Sequence, residues 1–164
     1  MTAPLLVFGW GNASRGDDAL GPLFIERLRE RLSPADFTRI EFLDDYQLQV
    51  EHALDLEGRK LVLFVDASTA VAAPFAVSRL APARDASFST HAMSPAAVMQ
   101  VFVGLHDATL PPCYLLAIRG TDFELGAALS SAARTHLEAA LERIGKWLRN
   151  MPSAVNFYAA LELI

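Results

Sequence analysis

Lys60-Leu61-Val62-Leu63-Phe64-Val65-Asp66 decides the fold class. Residues 61–65 are uninterruptedly apolar, rich in β-branched and aromatic side chains, and too short for a globular helix. They show no polar alternation, so both faces of the strand must be covered. That is the pattern of a central strand in a parallel sheet with helices on either side. The run stops at an aspartate, and the carboxyl ends of strands are where open α/β sheets bind their ligands.

The same grammar recurs on both sides of this stretch. Residues 5–9 are a short apolar run that ends in the turn Gly9-Trp10-Gly11-Asn12. Residues 20–32 place Leu20, Phe24, Leu28 and Leu32 four apart, with Arg27, Arg29, Glu30 and Arg31 between them, which predicts an amphipathic helix. Asp17 or Asp18 is expected to cap its start, and Pro22 is tolerated in its first turn. Residues 38–43 read as a second strand and 47–56 as a short helix ending at Gly58. Residues 75–80 follow the 60–65 strand without an intervening helix, so they are expected to form an antiparallel edge. Residues 82–91 are loop-like. Residues 94–105 open on Ser94-Pro95, a cap followed by proline at the first helical position. Residues 113–119 are a fifth strand, and 130–149 the longest helix. The expected architecture is α/β: a three-layer domain with a mostly parallel five-stranded twisted sheet between helices and one antiparallel edge strand. Residues 1–150 form one domain. Residues 151–164 are an apolar tail outside the alternation.

Composition narrows the function classes. A chain of 164 residues, 52% hydrophobic and 20% charged, is one folded domain and not a disordered segment. Its mean hydropathy of +0.27 is high, yet its apolar runs are of strand length, well short of the roughly 20 residues a membrane span needs. No secretory leader is expected. The single cysteine, Cys113, excludes an internal disulfide and a cysteine-rich metal site; it points to a cytoplasmic location and reads as a small buried hydrophobe. A net charge of −5 offers no basic footprint for nucleic acid.

The chemistry is therefore sought among polar residues that follow strands. Asn12, Asp17 and Asp18 follow the first, Asp66 follows the third, and Thr90 and His91 lie in the loop before the 94–105 helix. In a parallel sheet these all face one edge. Two carboxylates and an imidazole converging there make a metal site with open positions, suited to hard ions through the carboxylates and to nickel, zinc or iron through the imidazole. Each residue also has a plainer reading. Asp17 and Asp18 suit a helix N-terminus, Asp66 a solvated turn, and His91 an ordinary loop. His52 and His136 are expected on helix surfaces, and His106 follows a helix without an evident partner. The amides of Gly11 and Asn12 are candidate oxyanion donors; Asn12 alternatively fixes the loop. Other catalytic signatures fail. Ser14 occupies the third glycine position of a dinucleotide fingerprint, and no phosphate loop or Gly-x-Ser-x-Gly elbow is present. Glu51-His52 reverses the zinc-peptidase order.

Four blocks in this order resemble the [NiFe]-hydrogenase maturation endopeptidases: Gly9-Trp10-Gly11-Asn12, Gly16-Asp17-Asp18-Ala19-Leu20-Gly21, Val65-Asp66-Ala67 and Ser89-Thr90-His91-Ala92-Met93-Ser94-Pro95. Gly120-Thr121-Asp122-Phe123-Glu124-Leu125-Gly126 is similar to the family's segment before its last helix. The resemblance covers residues from about 5 to about 145, and within the family it looks most like the branch serving soluble, NAD-linked, bidirectional hydrogenases. It implies an aspartyl-type endopeptidase that removes a short C-terminal extension from the hydrogenase large subunit after nickel insertion. It assigns metal contact and catalysis to Asp18, Asp66 and His91, and Gly11, Asn12 and Asp17 are expected to support them. Many members carry glutamate where this chain has Asp18. The implied enzyme holds no permanent cofactor, since the nickel arrives on the substrate. Its partner is the large-subunit precursor, and neither nucleic acid nor a membrane span is involved. Two other readings stand beside it. One is a non-catalytic nickel-binding assembly factor using the same three residues. The other is a small-molecule α/β enzyme or anion binder using the glycine turn, opposed by the charges of Asp17 and Asp18 at that turn.

Overall fold

The computed structural model describes residues 2–85, 92–105 and 108–151. Five strands form one sheet: β1 (Leu5–Trp10), β2 (Ile40–Asp45), β3 (Leu61–Ser68), β4 (Phe75–Arg79) and β5 (Cys113–Arg119). Their order is β2-β1-β3-β5-β4. All neighbours are parallel except β4, which runs antiparallel to β5 at the edge. Three α-helices, α1 (Leu20–Arg31), α2 (Pro95–Leu105) and α3 (Ser131–Asn150), complete the layers. This is the architecture expected from the strand and helix alternation.

The core lies on both faces of the sheet, as the apolar 61–65 run requires. Leu61, Leu63 and Val65 pack with Phe24 and Leu28 of α1 and with Leu141 and Ile144 of α3. Val62 and Phe64 face the other way, toward Phe102 of α2 and Leu56. All five strand residues are fully buried, each contributing about 1.5–3 kcal/mol of transfer free energy.

Several local expectations are corrected. The strand read from residue 38 begins at Ile40, because Pro34–Thr38 forms a 3-10 turn closed by reciprocal hydrogen bonds between Ser33 and Asp36. The 47–56 helix is a 3-10 helix, Val50–Leu56. β3 does not stop at Asp66. It continues to Ser68, because β5 carries the ladder on through Asp66↔Ala117, Ala67↔Ile118 and Ser68↔Arg119 after β1 has ended its pairing at Val65. Neither Asp17 nor Asp18 caps α1, whose preceding residues Gly16–Ala19 form a 3-10 turn. His52 is not a surface residue: its ring packs edge-on against Phe8 at 4.7 Å between centroids, and its Nε2 lies 3.1 Å from Asp45 Oδ2. Thr90, His91, His106 and the tail beyond Met151, for which the sequence sets expectations, lie outside the described residues.

The glycine turn is a packing device. A Cβ on Gly9 would lie 2.4 Å from the carbonyl oxygen of Gly21, and one on Gly21 would lie 2.2 Å from that of Trp10. The end of β1 and the start of α1 thus meet backbone to backbone. Gly21→Ala is expected to cost about 2 kcal/mol, seen as a lower urea midpoint. An unchanged midpoint would show that the helix start is free to shift.

Candidate active site

The strand order reverses its direction of winding between β1 and β3: the chain leaves β1 for β2 on one side, then crosses to β3 on the other. The crevice beyond the carboxyl ends of those two strands is the topological switch point, where open α/β sheets bind ligands. Asp18 enters it from the 3-10 turn after β1, and that turn rests against β3. Asp66 enters it from β3 itself, one residue past the last β1 pairing.

Asp18 is half-buried and held by one strong contact: its Oδ2 accepts the amide N–H of Asn12 at 2.8 Å. The turn permits this because Gly11 has φ 150°, and a Cβ there would lie 1.9 Å from the Asp18 carbonyl oxygen. Asp66 Oδ1 accepts its neighbour's amide, Ala67 N–H, at 2.8 Å. Burial pushes the Asp66 carboxyl up to about 7. The Ala67 amide pulls it down, and the charge of Asp18 pushes it further up, so the two carboxylates sense each other across the crevice. Two acids facing one another, one of them holding its proton to neutral pH, is an arrangement that welcomes a cation or a polarised water.

The oxyanion expectation at the turn is corrected. Gly11 N–H donates to the Asp45 carbonyl at 3.1 Å and Asn12 N–H donates to Asp18, so both amides are occupied. Asn12 braces the loop. Its Oδ1 accepts Ser14 N–H at 2.9 Å, and its Nδ2 donates to the Tyr46 hydroxyl at 3.0 Å. Tyr46, exposed beside the crevice, was missed by the sequence reading; 34 residues separate it from Asn12 and no local pattern announces the bond.

Asp17 turns away from the crevice. It is wholly buried. Its Oδ2 accepts Thr121 N–H at 2.8 Å, Asp122 N–H at 3.1 Å and the Ser130 hydroxyl at 2.8 Å, and its Oδ1 accepts Ser130 N–H at 2.8 Å. Burial alone would raise its pKa, but these donors outweigh it and hold the carboxyl below the ordinary aspartate value. The supporting role thus takes a definite form: Asp17 ties the 120–130 segment to the turn that presents Asp18.

Cys113 is buried, and burial pushes its thiol up to about 12 against the opposing pull of Arg79, so it offers no thiolate nucleophile. Among the described residues no three His, Cys, Asp or Glu side chains converge as a metal site; the third member of the expected set, His91, lies outside them. Among the described residues no helix is long and apolar enough to cross a membrane.

The sheet order, the switch-point acids and the four motif blocks define an α/β domain with the fold of the hydrogenase maturation proteases. Solved structures bear this out. The chain is similar to a [NiFe] hydrogenase maturation protease HycI from Thermococcus kodakarensis KOD1, with a TM-score of 0.69, 24% identity and coverage of 91% of this chain and 94% of that one. It is similar to the hydrogenase maturating endopeptidase HybD from E. coli, with a TM-score of 0.67, 25% identity and coverage of 88% and 91%. A further likeness is to a hydrogenase 3 maturation protease, with a TM-score of 0.62, 18% identity and coverage of 88% and 91%. No protein-family model matches the sequence, and no curated protein does. The fold is that of solved hydrogenase maturation proteases.

Proposed function

We propose that this protein is an endopeptidase that removes the C-terminal extension of a [NiFe]-hydrogenase large-subunit precursor, acting in the cytoplasm and only once the precursor carries nickel. The observation that carries the reading is the Asp18–Asp66 pair in the switch-point crevice. Two carboxylates, one reluctant to ionise, form an open and weak cation site. Such a site grips a metal that substrate thiolates present, and holds none of its own. His91, which precedes α2 in the sequence, supplies the third contact in this reading. One of the two acids orients the attacking water while the substrate's nickel anchors the chain to be cut. Recognition and timing then become a single event, since a precursor without nickel lacks the anchor.

The test uses the full-length protein and the precursor in nickel-loaded and nickel-free forms, followed by intact mass. A shortened large subunit is expected from the nickel-loaded form alone. Asp18→Ala and His91→Ala should each slow that processing by more than about 100-fold. Equal cutting of the nickel-free precursor would overturn the nickel requirement. Retention of nickel without any cutting would replace the peptidase with an assembly factor.

A further inference from the structure

A groove of about 700 Å3 runs along the outside of the sheet between α1 and β2. It begins at Ala13, next to the Asn12 that holds Asp18, and at Pro22 in the first turn of α1. From there it follows the helix stripe through Glu26 to Glu30. The nine residues from Pro22 to Glu30 span about 12 Å, the length of roughly four residues of extended chain. We propose that this groove docks a basic, extended segment of the protein substrate, adjoining the bond that is cut. The proposal rests on the peptidase reading above.

Charge is the first reason. Glu26, Glu30 and Asp44 line the groove, all three are exposed, and none has an ion-pair partner among the described residues. Arg29 is the one cation in the lining. The rim therefore favours Lys or Arg side chains over acidic ones. Shape is the second. Phe37 stands 41% exposed in the groove, braced edge-on by Phe42 at 5.9 Å between centroids, and gives a rigid apolar anchor. Backbone chemistry is the third. β2 is an outer strand, and among the described residues no other strand pairs with its outward edge. An extended chain laid beside it meets backbone N–H and C=O groups that no described strand engages, as in strand addition. A second copy of this chain is a poor occupant, because two like-charged rims would meet.

The experiment has two arms, both using the full chain. In the first, fluorescence anisotropy follows a labelled eight-residue Lys-Val alternating peptide and its Glu-Val counterpart. The native protein should bind the basic peptide, and Glu26→Lys/Glu30→Lys should weaken that binding by about tenfold. Equal binding of the two peptides, or no loss in the variant, would overturn the proposal. In the second, the same variant should raise KM for precursor processing by a similar factor and leave kcat unchanged; an unchanged KM would also overturn it. Basic-peptide binding without any processing would keep the groove and refute the peptidase. A native dimer that the double substitution dissociates would assign the groove to a second copy instead. Both sites are exposed on α1, and unaltered circular dichroism confirms that the variant folds.

Discussion

Asp17→Ala is expected to destabilise the protein by about 3–5 kcal/mol. The figure follows from what the carboxylate leaves behind. Three backbone N–H groups, those of Thr121, Asp122 and Ser130, converge on it from the far side of the chain. Truncation leaves them inside the fold without their acceptor, and each unmet donor carries a desolvation penalty of about 1–3 kcal/mol, not fully additive. The loss spreads to α3. Ser130 is the N-cap of that helix: its hydroxyl oxygen accepts Ala133 N–H while its hydroxyl proton goes to Asp17. In a domain of this size 1 kcal/mol moves Tm by about 2–4 °C, so a fall of about 10 °C is expected in calorimetry. Asp17→Asn should recover little, because its amide would point a donor into a ring of donors. The pH sign is set by the lowered pKa. This stabilisation is present above the unfolded aspartate value of about 3.9 and is lost as pH falls through the lower folded value. The substituted protein should accordingly lose part of the native acid-unfolding dependence below pH 4. A native urea midpoint in Asp17→Ala would show that the 120–130 segment is anchored elsewhere.

That result bears on what a sequence can disclose. The strands and helices were legible because their signals are local. Leu61 to Val65 is apolar without interruption, α1 and α3 repeat at helical spacing, and the missing helix between β3 and β4 announces the antiparallel edge. Asp18 and Asp66 stand out in the sequence because strand ends are few, and the structure puts both beyond the carboxyl ends of β1 and β3. Asp17 does not stand out. Its reading as a helix-dipole acid used its immediate neighbours, whereas its partners lie 104 to 113 residues away. The Gly11 and Asn12 amides failed as oxyanion donors because each already has an acceptor: the Asp45 carbonyl on the neighbouring strand takes one, and Asp18 takes the other across the turn. His52 reads as a surface helix residue by pattern, yet an edge-on contact with Phe8 brings it inside. The glycines of the turn suggest an anion loop in the letters. Their spacing serves instead the contact of α1 with β1, which only the packed backbone reveals.

Asp66→Asn is expected to separate stability from function in opposite directions. The native carboxyl is raised to about 7, chiefly by burial. The folded protein therefore keeps this proton until near neutrality, while the unfolded chain releases it near the ordinary aspartate value of about 3.9. A group with a raised folded pKa contributes stability that is fully present below the unfolded value and is lost as pH rises through the folded one. Native stability attributable to Asp66 should thus fall by about 2–4 kcal/mol between pH 4 and pH 8. The asparagine variant mimics the protonated acid and carries no such slope. At pH 8 it should be the more stable protein by that amount, measured as the difference between the two urea titrations so that other acids cancel. It should nevertheless fail to shorten the nickel-loaded precursor, because an amide neither ligates the ion as a carboxylate does nor serves as a base. On the proposed mechanism the same proton must leave before Asp66 can meet the substrate's metal, so processing is expected to decline below about pH 7. Asp66→Glu restores a titrating carboxyl and should return the pH-dependent slope. Parallel pH–stability curves for native and Asp66→Asn proteins would refute the raised pKa, and normal processing by Asp66→Asn would remove the residue from the site.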